Sequence, residues 1–440
     1  MRKFAKSLPF RLLIAITIGS VVGTFANETV MNVVGSIRHL GGQVIFFIIP
    51  LIVLGFVAPA VARMGRGASR LLGISTALSY GSLLVAGTFA AILGYQIIGQ
   101  MTLADEVAQI RALPPLVFEL SIPPALPILS ALVMAVLLGL GVAWTKAERF
   151  GALLEEFNGL VTVLVRKIVI NIMPVFISTI FAQLAFQGRL TQQLPAFAAI
   201  IGIIIAAQVV WIALLYLIAT FVTRRNPWQV IRYYGAPFLT AIGTMSSSAT
   251  MPVAVEAARK SPVLDQRAVG FAAPLFVYTH MSGAVVAITL SVLAISQFLN
   301  GSLPSVGTMV LYIVLLGVFA VASPGLPGGT AMASLGVATA VLGFDEVGTG
   351  LILVLFALGD SITTAANISG DGPLLMILSK IVGRSTFVDH APSGGVAVSA
   401  LPLAASTDAT EDEVAVGLSV DRENVIPTYT GNESNLAQVK

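Results

Sequence analysis

Two carboxylates, an amide and several hydroxyls lie in an otherwise apolar stretch, residues 355–373, which reads LFALGDSITTAANISGDGP. Each residue of an α-helix advances by about 100°, so one face of a helix would carry Asp360, Thr363, Thr364, Asn367 and Asp371. The flanking sequence is apolar enough to lie in a membrane, where an ionised carboxylate costs several kcal/mol. This polar stripe therefore indicates a binding site, and a helix with one solvated face is the less favoured alternative.

The two carboxylates of the stripe are suited to different ligands. Asp360 is suited to an ammonium group. Asp371 lies eleven residues further along, about 16 Å at 1.5 Å per residue, which is too far to share one small substrate. Because hard cations prefer oxygen ligands, Asp371 together with Asn367 and backbone carbonyls is a candidate cation site.

Two polar interruptions lie upstream in apolar sequence. The first is GTMSSSATMP at residues 243–252, and the second is SPGLPGGTAM at residues 323–332. Serine hydroxyls compete for backbone hydrogen bonds, and Pro327 prevents a continuous helix through the second interruption. Non-helical backbone at membrane depth is tolerated only where protein or water satisfies its polar groups. Both interruptions therefore predict tips of re-entrant hairpins, with glycine-kinked spans as the alternative.

Hairpin tips of this kind are suited to binding an anion. Helices that start at a tip direct their free N–H groups and the positive ends of their dipoles towards it. A substrate carboxylate held there, with its amino group on Asp360, describes an α-amino acid. The glycines of the second interruption give it the flexibility of a lid.

The composition is that of a polytopic membrane protein. Of 440 residues, 56% are hydrophobic and only 10% are charged, with a mean hydropathy of +0.93, whereas soluble domains are about one quarter charged. There is no cysteine, which excludes disulfides and thiolate metal sites, and a net charge of +3 is small for a nucleic-acid binder. Among the three histidines, His280 is the one expected inside the membrane, either as a neutral core residue or as a group that carries or gates a proton.

The first half contains six apolar segments, most of them about as long as the roughly 20 residues that a span needs. The basic residues between them fall on one side of the membrane if the N-terminus is cytoplasmic, and no cleavable signal peptide is evident. The segments are residues 12–26, 40–62, 71–103, 122–144, 155–188 and 194–222.

The second half has a different pattern. Residues 268–344 contain no Asp, Glu, Lys or Arg, and the order is hairpin, span, hairpin, span. Paired interruptions at equivalent positions are the best sequence indication of a transporter binding site. Residues 385–440 are polar and mostly acidic without helical periodicity, which predicts a disordered cytoplasmic extension.

Three motifs resemble the dicarboxylate/amino acid:cation symporter family of the glutamate-transporter type. They are SSSATMP at 246–252, PGLPGGTA at 324–331 and NISGD at 367–371, and the resemblance extends over residues 10–383. It implies an all-α polytopic membrane protein with eight transmembrane helices plus two re-entrant helical hairpins, assembled as a homotrimer in the cell (plasma or inner) membrane. It also implies an elevator motion, in which a transport domain moves against scaffold and trimerisation spans. The transport domain would comprise residues 226–384 with part of the first half, including the third span, and the scaffold would lie mainly in residues 1–225.

The same resemblance assigns roles to the polar residues. Asp360 would hold the amino group of the substrate, Asn367 and the region of Ser247 its carboxylate, and Asp371 a sodium ion. The candidate substrate-binding residues are Ser246, Ser247, Ser248, Thr250, Gly328, Gly329, Thr330, Asp360, Thr363, Thr364 and Asn367.

Two departures from the family pattern affect the expected substrate and coupling ion. Members that carry acidic substrates usually have an arginine where this chain has Thr363, and an unpaired second carboxylate is expensive to bury. We therefore expect a small neutral amino acid, with an acidic amino acid or dicarboxylate as the alternative. The NMDG-type motif reads HMSG, so His280 and Ser282 replace an amide and a carboxylate at cation-site positions. The candidate coupling-ion residues are Asn367, Asp371, His280 and Ser282, with fewer sodium ions and a proton on His280 as the hypothesis.

Other classes of protein fit the sequence less well. An intramembrane aspartyl protease needs two carboxylates close enough to share a proton, and Asp360 and Asp371 are too far apart on one helix. A channel would be expected to show repeated carbonyl or charge rings, which are not evident. The sequence thus predicts a transporter rather than an enzyme, with a sodium ion or proton as coupling ion and no covalent cofactor.

Overall fold

The apolar segments of the chain fold as helices, the form that satisfies backbone hydrogen bonds inside a bilayer. In the computed structural model, the described residues are 8–65, 70–101, 113–118, 120, 122–188, 190–323, 325 and 327–384, and their regular elements are all helical. The predicted C-terminal extension, residues 385–440, lies outside this range. The helices of the first half are α1 (Leu8–Phe25), α2 (Glu28–Gly65), α3 (Arg70–Ile97, followed by the 3-10 turn Ile98–Gln100), α4 (Ile128–Thr145), α5 (Glu148–Leu164), α6 (Ile170–Phe186) and α7 (Leu190–Thr223).

Three helices start six or more residues away from the predicted start of their segment. α2 begins at Glu28 rather than at residue 40, because the stretch before residue 40 continues the helix despite its polar residues. The segment predicted to start at residue 122 becomes helical only at Ile128, after three prolines that interrupt the backbone hydrogen bonding. The segment predicted over residues 155–188 starts at Glu148, and a π-helical stretch, Val165–Val169, joins α5 to α6.

The second half is built from shorter helices that are broken at polar sequence. They are α8 (Trp228–Ile231), α9 (Gly235–Thr244), α10 (Ser247–Arg259), α11 (Gln266–Thr279), α12 (Ser282–Asn300), α13 (Val306–Ala322), α14 (Gly329–Leu342) and α15 (Glu346–Arg384). Both predicted interruptions are present, one between α9 and α10 and one between α13 and α14, where residues 324 and 326 lie outside the described part. A further break, at His280 and Met281, separates α11 from α12.

Several of these helices are long and apolar enough to cross a membrane. Within the described residues, six uninterrupted or joined helical stretches meet both conditions, and four shorter apolar helices accompany them. The prediction of a polytopic all-α membrane protein is confirmed at this level. The six stretches are Glu28–Arg63, Leu71–Gln100, Glu148–Phe186, Pro195–Thr223, Gln266–Asn300 and Glu346–Val382.

The centre of the molecule is formed by α12 and α15. Every residue of α12 from Ser282 to Ser296 is buried, and α12 packs on α15, α3 and α7. At the periphery α1 packs closely on α6, because Gly19 and Gly23 of α1 lie directly against backbone carbonyls of Ser178 and Ala182. The polar stripe of α15 therefore lies in the most enclosed part of the fold.

Candidate functional site

The stripe predicted on one helix face is present on α15 and is buried. Asp360, Thr363, Thr364, Asn367 and Asp371 are each at most 6% exposed. Buried polar groups need hydrogen-bond partners, so the partners of these five side chains show what the site is organised to hold.

Asp360 contacts the second interruption directly. The Gly328 N–H donates to Asp360 Oδ2 at 3.0 Å, and Thr364 Oγ1 donates to Oδ1 at 3.4 Å. Gly328 has a left-handed conformation with φ +70° and precedes the first residue of α14. A carboxylate at a helix N-terminus is stabilised by the free N–H groups and the helix dipole. Asp360 therefore holds the start of α14 against α15.

The two interruptions also contact each other. The carbonyl oxygen of Gly325 accepts hydrogen bonds from Ser246 Oγ at 3.0 Å, from Ser248 Oγ at 3.1 Å and from the Ser248 N–H at 3.2 Å. A Cβ atom on Gly325 would lie 2.9 Å from Ser248 Oγ. Glycine is therefore required here for the two breaks to approach this closely.

A small cavity of about 10 Å³, which has room for about one water molecule, lies between the two breaks and α15. Its lining is mostly polar, with the carboxylate of Asp360, the amide of Asn367 and several hydroxyls, and Met245, Met281 and Phe356 add apolar surface. This combination suits a small ligand with a charged group and little apolar surface. The lining residues are Met245, Ser247, Met281, Gly325, Gly329, Thr330, Phe356, Asp360, Thr364 and Asn367.

Most of the candidate substrate-binding residues lie at this cavity or next to it. Six of them line it, Ser246 and Ser248 hold Gly325, and Gly328 binds Asp360. Thr250 is buried beside them and donates to the Ser246 carbonyl at 2.9 Å. Sequence reasoning missed Met245, Met281 and Phe356, whose only signal is their position next to predicted polar residues.

Thr363 is placed differently from its neighbours on the stripe. Its hydroxyl accepts a hydrogen bond from Gln208 Nε2 of α7 at 2.8 Å, and the same amide donates to the Gly283 carbonyl at 3.0 Å. Thr363 thus contacts α7 and is not among the cavity-lining residues. Gln208 was not predicted, although a lone amide in an apolar span is a signal that a polar partner is present.

A second buried cluster surrounds Asp371. His280 Nδ1 lies 3.2 Å from Asp371 Oδ1, and His280 Nε2 lies 2.9 Å from Ser82 Oγ of α3. All of the atoms of the His280 side chain are enclosed. A neutral imidazole has one donor and one acceptor nitrogen, so the ring links α3 to α15 through the break between α11 and α12. Ser82 was not predicted.

The oxygen atoms near Asp371 fit the cation site predicted there. Asp371 Oδ2 and Ser282 Oγ are buried and have no hydrogen-bond partner among the described residues. Gly370, the residue before Asp371, lets Ser282 and His280 approach α15, because a Cβ on it would lie 3.1 Å from Ser282 Oγ and 2.8 Å from His280 Cε1. Oxygen ligands are those that hard cations prefer. Asn367 is more engaged, since its Oδ1 accepts from the Ala284 N–H at 3.0 Å.

Comparison with known proteins gives one family and several distant relatives. The family model described as "Sodium:dicarboxylate symporter family" matches residues 8–381. "Neutral amino acid transporter A" of Homo sapiens is 28% identical over 214 residues, 49% of this chain and 39% of the relative. "Excitatory amino acid transporter 1" is 28% identical in Homo sapiens over 51% of this chain and 40% of the relative, and 29% identical in Ambystoma tigrinum over 50% and 40%. The chain thus spans well under two thirds of these relatives.

Proposed function

Because the chain belongs to the sodium:dicarboxylate symporter family, we propose that it is a secondary active transporter that moves a small neutral amino acid together with a cation. The family consists of symporters rather than enzymes, and its name implies sodium as a coupling ion. The observation that carries the proposal is the position of Asp360. Its carboxylate lies in a small cavity where the N-termini of α10 and α14 meet.

The two ends of an α-amino acid have complementary partners at this cavity. The Asp360 carboxylate binds the ammonium group, and the N–H groups of Ser247 and Gly329, the first residues of α10 and α14 and both at the cavity, bind the carboxylate. Thr364, Asn367 and Thr330 supply further polar contacts, while Met245, Met281 and Phe356 contact the side chain of the substrate. The ten residues that line the cavity include no Lys, Arg or His.

This absence of a basic lining residue predicts the substrate preference. A second carboxylate on the substrate would be buried without a cationic partner, which is strongly unfavourable. We expect serine or alanine to be taken up in preference to aspartate or succinate. Uptake of each radiolabelled solute into proteoliposomes measures this directly, with protein-free liposomes as the control. Preferred uptake of aspartate or succinate would instead support the acidic-substrate alternative.

We propose that the cluster around Asp371 couples uptake of the substrate to movement of a sodium ion or proton. Asp371 and Ser282 would hold the sodium ion, which supplies positive charge to the buried carboxylate. His280 takes the place of an amide in the family motif and Ser282 that of a carboxylate, so we infer fewer sodium ions per cycle than the motif would otherwise support. We also propose that His280, held by Asp371 and Ser82, carries a proton.

Separate gradients distinguish sodium from proton coupling. With substrate present, we expect an imposed pH gradient to drive uptake and His280→Ala to abolish that component, because alanine has no group that can take up and release a proton. His390→Ala, in the C-terminal segment outside the described residues, serves as the control variant. If only a sodium gradient drives uptake and His280→Ala leaves it unchanged, His280 carries no proton.

The arrangement of the site supports the proposed division into a moving and a static part. Every cavity-lining residue lies within residues 226–384, and α3 of the first half contributes Ser82. We propose that this part, with two re-entrant hairpins and α3 among eight spans, moves against scaffold spans in residues 1–225 of a homotrimer. The placement in the cell membrane with both termini cytoplasmic belongs to the same proposal.

A further inference from the structure

An apolar groove runs along the C-terminal half of α7. It has a volume of about 580 Å³ between α7, α8, α9 and α15 and is lined by Val209, Leu217, Thr220, Ile231, Phe238 and Ser369, among others. Val209 is 61% exposed and Leu217 49% exposed, so the groove opens on the side of the protein. In a membrane span, such a groove faces acyl chains.

A polar cavity follows where α7 ends. It has a volume of about 400 Å³ and is lined by Thr223, Arg225, Asp265, Ser379 and Lys380, together with apolar residues. Thr223 comes three residues after Thr220, so it continues the face of α7 that lines the groove. On α15, Met376 of the cavity likewise lies two turns beyond Ser369 of the groove.

The length of the groove matches one leaflet. From Val209 to Thr220 the helix rises about 16 Å at 1.5 Å per residue. The hydrocarbon core of a bilayer is about 30 Å thick, so the groove spans roughly half of it. The polar cavity then lies at the level of the headgroups, at the end of α7 that carries Arg224 and Arg225.

The charges that line the polar cavity are positive on balance. Lys380 donates to the Val222 carbonyl, which leaves two of the three ammonium donors free for other partners. Asp265 is already satisfied, since it accepts from the Arg267 and Ala268 N–H groups and pairs with the Arg267 guanidinium at 3.3 Å. Burial raises the pKa of the Asp265 carboxyl, but these hydrogen bonds outweigh burial and leave the pKa below its usual value. Arg225 and Lys380 therefore remain to bind an anion.

We propose that one anionic phospholipid binds here, with its phosphate on Arg225 and Lys380 and one acyl chain in the apolar groove. Basic pockets between helices at the cytoplasmic surface are suited to anionic headgroups, and Arg and Lys both bind phosphate oxygens. The proposal rests on the membrane placement and does not depend on the identity of the substrate.

Native mass spectrometry of the full chain in detergent tests the site. After delipidation, phosphatidylglycerol is added at increasing concentration, and phosphatidylcholine is used in a parallel series. We expect one tightly retained phosphatidylglycerol per chain. The double substitution Arg225→Gln and Lys380→Gln should weaken retention roughly 25-fold, since each surface charge contributes a factor of about five. The matched control Arg149→Gln removes an exposed charge on α5, a helix that contributes no residue to the groove or the polar cavity, and should have no effect.

Further variants separate the headgroup from the acyl chain and from misfolding. Arg225→Lys with Lys380→Arg keeps both charges and should restore retention. Ala213→Trp fills the groove at an exposed position and should weaken binding of phosphatidylglycerol but not of inorganic phosphate.

Four outcomes overturn the proposal. The first two are equal retention of phosphatidylcholine and unchanged retention of phosphatidylglycerol in the double variant. The third is binding of inorganic phosphate as tight as that of phosphatidylglycerol. The fourth is a change in oligomer mass for Ala213→Trp with lipid retention intact. The last outcome would indicate a second copy of the chain over the groove. The mass-spectrometric experiment contains no amino acid, so a lack of lipid retention does not contradict the transport proposal. Likewise, a lack of amino acid uptake into proteoliposomes does not contradict the lipid site.

Discussion

Replacing Asp360 by Asn is expected to reduce amino acid uptake by at least about 100-fold. Removing one partner of a buried ion pair typically costs about 3–5 kcal/mol, and each 1.4 kcal/mol is a factor of ten in affinity. The asparagine oxygen can still accept from Gly328 or Thr364, so the fold should be retained while the ammonium of the substrate loses its counter-charge.

The matched control for this substitution is Glu156→Gln on α5, which neutralises an exposed carboxylate far along the chain from the cavity. Uptake into proteoliposomes and the substrate-induced shift in Tm would be measured for both variants. Wild-type accumulation by Asp360→Asn, with the protein folded, would contradict the assignment of Asp360 to the substrate ammonium.

Replacing Gly325 by Val is expected to weaken substrate binding by roughly 100-fold through a different cause. The new side chain would meet Ser248 Oγ at 2.9 Å and the Ser248 nitrogen at 3.3 Å, which separates the two interruptions. Three hydrogen bonds to the Gly325 carbonyl would be lost, each contributing about 1 kcal/mol. The affinity for substrate and the rate of uptake would both fall, because the cavity could no longer close around its ligand.

Gly243→Val on α9 is the control for Gly325→Val, since nothing lies within 4 Å of a Cβ built at Gly243. Isothermal titration of the two variants with the transported amino acid would give the two dissociation constants. If Gly325→Val bound with the affinity of the wild type, the contact between the interruptions would have no role in holding the substrate.

The local pattern of the sequence was sufficient to predict the helical stripe and the membrane class. Spacing alone places Asp360, Thr364 and Asn367 on one face, and they line one cavity in the structure. The family resemblance drawn from three short motifs is confirmed by the match over residues 8–381. These features depend on neighbouring residues along the chain, which is why the sequence suffices.

The partners of the stripe could not be predicted, because they come from distant segments. Ser82 is 198 residues from His280, and Gln208 is 155 residues from Thr363. Both contacts arise only when α3 and α7 pack on the centre of the fold. Thr363 lies on the same helix face as its neighbours, but its hydroxyl accepts a hydrogen bond from Gln208. Helical periodicity does not predict which residue from another helix will contact a side chain on that face.

The hydrogen bond from Gly328 to Asp360 has a consequence for the direction of net flux. In this conformation the Gly328 N–H donates to the Asp360 carboxylate, the group that is proposed to bind the ammonium of the substrate. In the proposed transport cycle, the site could therefore close without bound substrate and return to the side on which it binds substrate. We expect a transporter that can return without substrate to accumulate solute on one side of the membrane rather than only to exchange one molecule for another.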